Sequence, residues 1–107
     1  MLELQSEDVY KKLIIENDGL AFVDFYATWC MPCKMMSSTI EEIDNKLGDK
    51  LLVMKVDIDK FPDLAKKNGV MAVPTMLLFN DGMQIEKFVG IRSREELFDT
   101  IEAYIKK

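Results

Sequence analysis

The stretch Leu20-Ala21-Phe22-Val23-Asp24-Phe25-Tyr26-Ala27-Thr28-Trp29-Cys30-Met31-Pro32-Cys33-Lys34 decides how this chain folds. Its first seven residues form an almost continuous apolar run broken by one acid, the mark of a strand covered on both faces. The two cysteines come where that strand gives way to a segment in which Met36, Ile40, Ile43 and Leu47 share a helical stripe, closed by Gly48. Leu51 to Asp57 then repeats the buried-strand pattern, and strand, helix and strand in succession imply a right-handed parallel crossover.

Outward from this unit, Ser6-Glu7-Asp8 supplies an N-cap, and Val9, Tyr10, Leu13 and Ile14 keep helical spacing until Asn17-Asp18-Gly19 ends the pattern. A short helix is expected over Pro62 to Lys67, with proline in its first turn and Asn68-Gly69 at its end. Thr75 to Phe79 and Gln84 to Val89 flank Asn80-Asp81-Gly82, which predicts an antiparallel hairpin. Ser93-Arg94-Glu95-Glu96 is a capping box ahead of Leu97, Phe98, Ile101 and Ile105, so the chain closes on an amphipathic helix. The fold class is α/β: a mixed central sheet, half parallel βαβ unit and half antiparallel hairpin, with helices on both faces.

At 107 residues the chain is expected to be a single domain, residues 1-107, and 49% hydrophobic with 31% charged residues is a globular balance. Fourteen basic against 19 acidic residues leave a net charge of −5 with no basic cluster, which argues against nucleic acid as a partner. No apolar run reaches the roughly 18 residues of a membrane span, and Met1-Leu2-Glu3-Leu4 lacks the features of a signal peptide, so the expected location is cytoplasmic, with no membrane partner. The chain has two cysteines and no histidine, which excludes imidazole-based hydrolysis and most catalytic zinc sites.

Cys30 and Cys33 sit three apart at a helix start, where Cβ atoms lie roughly 5 to 6 Å apart and a modest adjustment allows a disulfide. Free N–H groups and the helix dipole there stabilise an anion, lowering the pKa of the first thiol. Pro32 fits because first-turn N–H groups have no helical partner to lose. The pattern reads as a redox dithiol, with Cys30 attacking and Cys33, one turn deeper and less exposed, resolving. Three alternatives stand beside it: a metal or iron-sulfur cluster shared across a dimer, two inert buried cysteines, and an accessory subunit that binds a partner regardless of redox state. Asp24, amid Phe22, Val23 and Phe25, is costly to bury ionised; its pKa should rise, suiting it to exchange a proton with Cys33. The alternative reading is a strand-end acid merely bonded to backbone. Lys55 alone reads as a solvated strand lysine, and Pro74 alone as an ordinary proline at a strand start.

The segment Phe25 to Lys34, followed in order by Val73-Pro74-Thr75, Asn80-Asp81-Gly82 and Val89-Gly90, resembles the thioredoxin family over nearly the whole chain. The resemblance implies the thioredoxin fold and reduction of protein disulfides by dithiol-disulfide exchange, with Cys30 exposed, Cys33 resolving, Pro74 cis and no cofactor beyond the redox-active disulfide. It implies that Asp24 is buried and serves Cys33, and that Lys55 lies near Asp24. Backbone around Val73 would pair with an extended substrate segment, inside a rim of Trp29, Met31, Pro32, Met71, Ala72, Gly90 and Ile91. Implied partners are disulfide-containing proteins and a thioredoxin reductase that restores electrons; the expected state is a monomer.

Three positions depart from the family pattern. Met31 replaces a glycine between the cysteines, so the redox poise shifts by an amount the sequence does not fix, although the absence of histidine places it nearer the roughly −270 mV of thioredoxins than the roughly −120 mV of strongly oxidising relatives. Ser38 stands where many members carry a proline, which should straighten the helix. Tyr26 stands where many carry tryptophan. Eight methionines are many for this length: Met31 and Met71 offer a soft contact surface for varied partners, whereas Met35, Met36, Met54 and Met76 read equally as core filling. We expect Met31→Gly to change reduction rates unequally across a panel of substrates, and equal rates throughout would refute the contact role.

Overall fold

In the computed structural model, which describes residues 1–106, the run Leu20–Tyr26 is the central strand β2 of a five-stranded sheet. It pairs in parallel with β3 (Leu51–Asp57) and antiparallel with β4 (Thr75–Asn80). Outside β3 lies β1 (Leu2–Glu3), parallel to it, and outside β4 lies β5 (Met83–Val89), antiparallel. The sheet order is therefore β1-β3-β2-β4-β5.

Both faces of β2 are covered, which is why its sequence shows no polar alternation. On one face Phe22, Val53, Met76 and Leu78 pack against Met36, Ile40 and Ile43 of α2 (Met31–Leu47) and Leu97, Phe98 and Ile101 of α4 (Arg94–Ile105). On the other, Val23, Phe25, Met54 and Leu77 meet Tyr10 of α1 (Glu7–Tyr10), Ile14 and Leu64 of α3 (Pro62–Lys67). Each such large apolar side chain contributes about 1.5–3 kcal/mol on burial. The helical stripe predicted for α2 is the buried one, and the helix runs unbroken for 17 residues through Ser38.

The sheet and helices match the fold read from the sequence, with two additions. The strand β1 has only two residues, too few for any periodic signal; its neighbour Leu4 is buried and donates its N–H to Lys55 O at 2.9 Å. The first helix widens after Tyr10 into a π-helical turn over Lys11–Ile15, closed by Glu16 N–H to Lys11 O at 2.8 Å. Apolar spacing over so few residues fits either ring size, so the sequence predicts a helix without distinguishing the two.

The β4–β5 hairpin closes through Asp81 (φ 52°) and Gly82 (φ 81°), both left-handed as a two-residue turn matched to strand twist requires. Asp81 ties the turn to the start of β2, accepting from Gly19 N–H at 2.7 Å and donating its own N–H to Gly19 O at 2.9 Å. A Cβ on Gly82 would collide with the Ile15 carbonyl. On β5, Met83, Gln84, Lys87 and Val89 are exposed, and Lys87 Nζ donates to Gly69 O at 3.0 Å. Because Gly82→Ala combines a positive φ with a backbone collision, we expect it to cost about 2 kcal/mol, measured as a lower urea midpoint at unchanged slope.

Candidate active site

The sheet delivers the sulfurs. Where β2 ends, Cys30 becomes the N-cap residue of α2, with extended backbone (φ −88°, ψ 112°), Met31 at the first helical position and Pro32 in the first turn. Its Sγ takes the place a serine or aspartate oxygen usually fills, accepting the Cys33 N–H at 3.2 Å. Cys33 joins it in a disulfide with Cα atoms 5.3 Å apart. A thiolate at Cys30 would occupy the same N-cap position and gain both that N–H and the helix dipole.

Burial corrects one expectation. The resemblance implies an exposed Cys30 with Cys33 deeper, yet Cys30 is 4% and Cys33 6% exposed, so in the oxidised form both are buried. The N-cap geometry folds the Cys30 side chain back over the helix start, and Val73 covers it, with the Val73 carbonyl 3.6 Å from Sγ.

The Val73–Pro74 bond is cis, as the resemblance implies. The loop bearing it is fixed by Thr75 Oγ1 donating to Ala72 O at 2.6 Å and by Gly90 N–H donating to Pro74 O at 2.8 Å. Gly90 makes that bond at φ +83°, a conformation that favours glycine. Pro74 is buried, Val73 half-buried and Ala72 exposed. Trp29, Met31 and Ile91 are exposed large apolar side chains, and Met71 is 96% exposed; Pro32 is exposed too. Of the four methionines read as possible core filling, Met36, Met54 and Met76 are buried, but Met35 is 62% exposed. Position 35 falls off the stripe of Met36, Ile40 and Ile43.

Asp24 is 2% exposed and its Oδ1 has no hydrogen-bond partner. Burial pushes its pKa up to about 7, against the opposing pull of Lys55 and with a smaller push from Glu3. The structure thus selects the buried acid over the strand-end acid bonded to backbone. Lys55 is half-buried and pairs in register with Asp24, and its Nζ lies 4.2 Å from the centre of the Tyr26 ring. A pocket of about 270 Å³ lies here, lined by Tyr26, Ala27, Thr28, Cys33, Lys34, Ser37 and Lys55.

Two supports of the site have no signal in the sequence. Trp29 Nε1 donates to Asp59 Oδ2 at 2.8 Å, and Asp59 is placed by its own N–H donating to Asp57 Oδ1 at 2.9 Å. Tyr26 Oη donates to Glu3 Oε2 at 2.8 Å. Each joins residues more than twenty positions apart, beyond the reach of periodicity or capping rules.

The thioredoxin family model matches residues 1–103. The thioredoxin of Bacillus subtilis strain 168 is 39% identical over 89 residues, spanning 83% of this chain and 86% of that protein. The thioredoxin of Rickettsia felis is 36% identical over 100 residues, spanning 94% of this chain and 95% of that one. A mutant thioredoxin of known structure from Halobacterium salinarum superposes with a TM-score of 0.88 at 35% identity, covering 97% of this chain and 89% of that one.

The raised value of Asp24 has a consequence for stability. From an ordinary 3.8 to about 7 is a rise of roughly three units, about 4 kcal/mol at about 1.4 kcal/mol per unit. As pH rises the unfolded chain loses this proton first, so stability falls between about pH 4 and about pH 7 and levels off above. Asp24→Asn escapes that loss: we expect it to melt higher than the wild type at pH 8, with the gap shrinking as the pH is lowered toward 4.

Proposed function

This chain belongs to the thioredoxin family and is a thiol-disulfide oxidoreductase, and from that premise we propose that it works as a reductant of protein disulfides, residue by residue as follows. The Cys30 thiolate attacks one sulfur of a substrate disulfide; a Cys30–substrate bond forms, the substrate S–S bond breaks, and one thiolate leaves. Cys33, deprotonated, then attacks Cys30 Sγ, closing the intramolecular disulfide and expelling the second substrate thiolate, so two electrons pass from the dithiol to the substrate. Asp24 receives the Cys33 proton; a carboxyl titrating near 7 is matched to that exchange at neutral pH. Lys55 tempers the cost of ionising it.

The observation that carries this reading is Cys30 Sγ capping α2 through the Cys33 N–H. That contact favours sulfur as an anion over sulfur as a neutral thiol, and thiolate is the attacking species. Substrate docks as an extended segment beside Val73 and the cis bond to Pro74, against the rim of Trp29, Met31, Pro32, Met71, Ala72, Gly90 and Ile91. In this reading residues 1–107 act as one domain and a monomer in the cytoplasm. A thioredoxin reductase renews the dithiol, no further cofactor is needed, and neither nucleic acid nor membrane is a partner. No helix among the described residues is long and apolar enough to cross a membrane.

The rival of a metal or cluster held between protomers has no support: the relatives it would share that site with are thioredoxins. We expect the wild type to accelerate insulin disulfide reduction with catalytic dithiothreitol, Cys30→Ser to give no acceleration, and Cys33→Ser to accumulate the mixed disulfide. Wild-type rates no faster than those of Cys30→Ser would defeat the reading.

A further inference from the structure

Strand register lines up three charged residues across the sheet. Glu3 of β1 pairs with Lys55 of β3, and Lys55 pairs with Asp24 of β2. Partners in register point to one side and adjacent strands lie roughly 4.8 Å apart, so the row runs carboxylate, ammonium, carboxylate. The next partner along, Met76 of β4, is uncharged.

Tyr26 brackets the row from two positions beyond Asp24. Its ring face receives Lys55 Nζ, and its hydroxyl donates to Glu3 Oε2 at 2.8 Å. Among the described residues Lys55 is in no ion pair within 4 Å, so its ammonium rests on the ring without being locked to either acid. The other ionisable groups on this side are Cys33 and Lys34 of α2, at the same pocket, and Asp57 at the end of β3, which acts on Tyr26. From α4 the residues packed on this face are the apolar Leu97, Phe98 and Ile101.

We propose that Glu3 is a positioning residue of the dithiol site: held by the Tyr26 hydroxyl, its carboxylate shares Lys55 with Asp24 and so sets how tightly Asp24 holds its proton. The functional weight of this rests on Asp24 being the proton acceptor for Cys33. Removing the Glu3 charge leaves Lys55 wholly to Asp24 and takes away a repulsion, and both effects favour ionised Asp24. The opposite signs that Lys55 and Glu3 exert on Asp24 agree.

The test is the titration of the Asp24 carboxyl carbon followed by ¹³C NMR in the oxidised protein, where neither thiol titrates. Glu3→Gln removes the charge but keeps an acceptor for Tyr26, and Tyr26→Phe keeps the ring under Lys55 but releases Glu3. For charges roughly 10 Å apart at an effective dielectric near 20, we expect the Asp24 midpoint in Glu3→Gln to fall by about one unit at low salt, or about tenfold weaker proton binding. Tyr26→Phe should move it the same way by less. Glu42→Gln, which removes a charge bound to Arg94 and Lys46 instead, should leave it in place. An unmoved or rising midpoint in either folded variant, or an equal shift in Glu42→Gln, overturns the proposal. The pH profile of insulin reduction by Asp24→Asn decides the proton-acceptor reading separately: a wild-type profile there removes that role and leaves the NMR result on Glu3 standing.

Discussion

The constraint on which the rest depends is that β2 is buried on both faces. A strand so enclosed must be apolar, must sit centrally, and needs a helix layer on each side; α2 and α4 cover one face and α1 and α3 the other. It also fixes where the chemistry falls. The chain leaves β2 at Tyr26 and reaches Cys30, the N-cap of α2, four residues later, so the sulfurs lie where a rigid strand meets a helix N-terminus. Neither sulfur sits on a mobile loop, and the anion-stabilising contact at Cys30 is part of the helix start itself.

The same enclosure makes Asp24 expensive. A carboxyl in the middle of the central strand, with one oxygen unpartnered, opposes folding whenever it is ionised. The fold carries this load because the surrounding apolar side chains supply stability well in excess of it. Lys55, Tyr26 and Glu3 shape the load without removing it: an ammonium resting on an aromatic face stays in the field of the acid while remaining uncommitted to it. In the proposed mechanism, function and stability draw in opposite directions on this one residue, as expected where a pKa is tuned toward working pH.

Much of this was legible in the chain. The strand Leu20–Tyr26, the α2 stripe, Pro62–Lys67, the Asp81-Gly82 turn and the Ser93 cap are local patterns, and local patterns survive folding when tertiary packing agrees with them. The dithiol and the buried acid were readable for the same reason, since their meaning lies in spacing and immediate neighbours. What escaped is non-local or too short to have a period. Two residues of β1, a π turn in place of an α turn, Asp59 under Trp29 and Glu3 on Tyr26 depend on segments meeting in space. The depth of Cys30 escaped because it is set by Val73, forty-three residues away.

Lys87 gives the open margin of the sheet a further meaning. An outermost strand carries unpaired backbone donors and acceptors that invite any extended chain to add on, and a charged side chain in mid-strand is a common deterrent. Here Lys87 stands in the middle of β5, exposed and anchored to the Gly69 carbonyl, while the opposite margin is shortened to the two residues of β1. Such guarded borders discourage indiscriminate strand capture, and self-assembly with it, at both margins of the sheet.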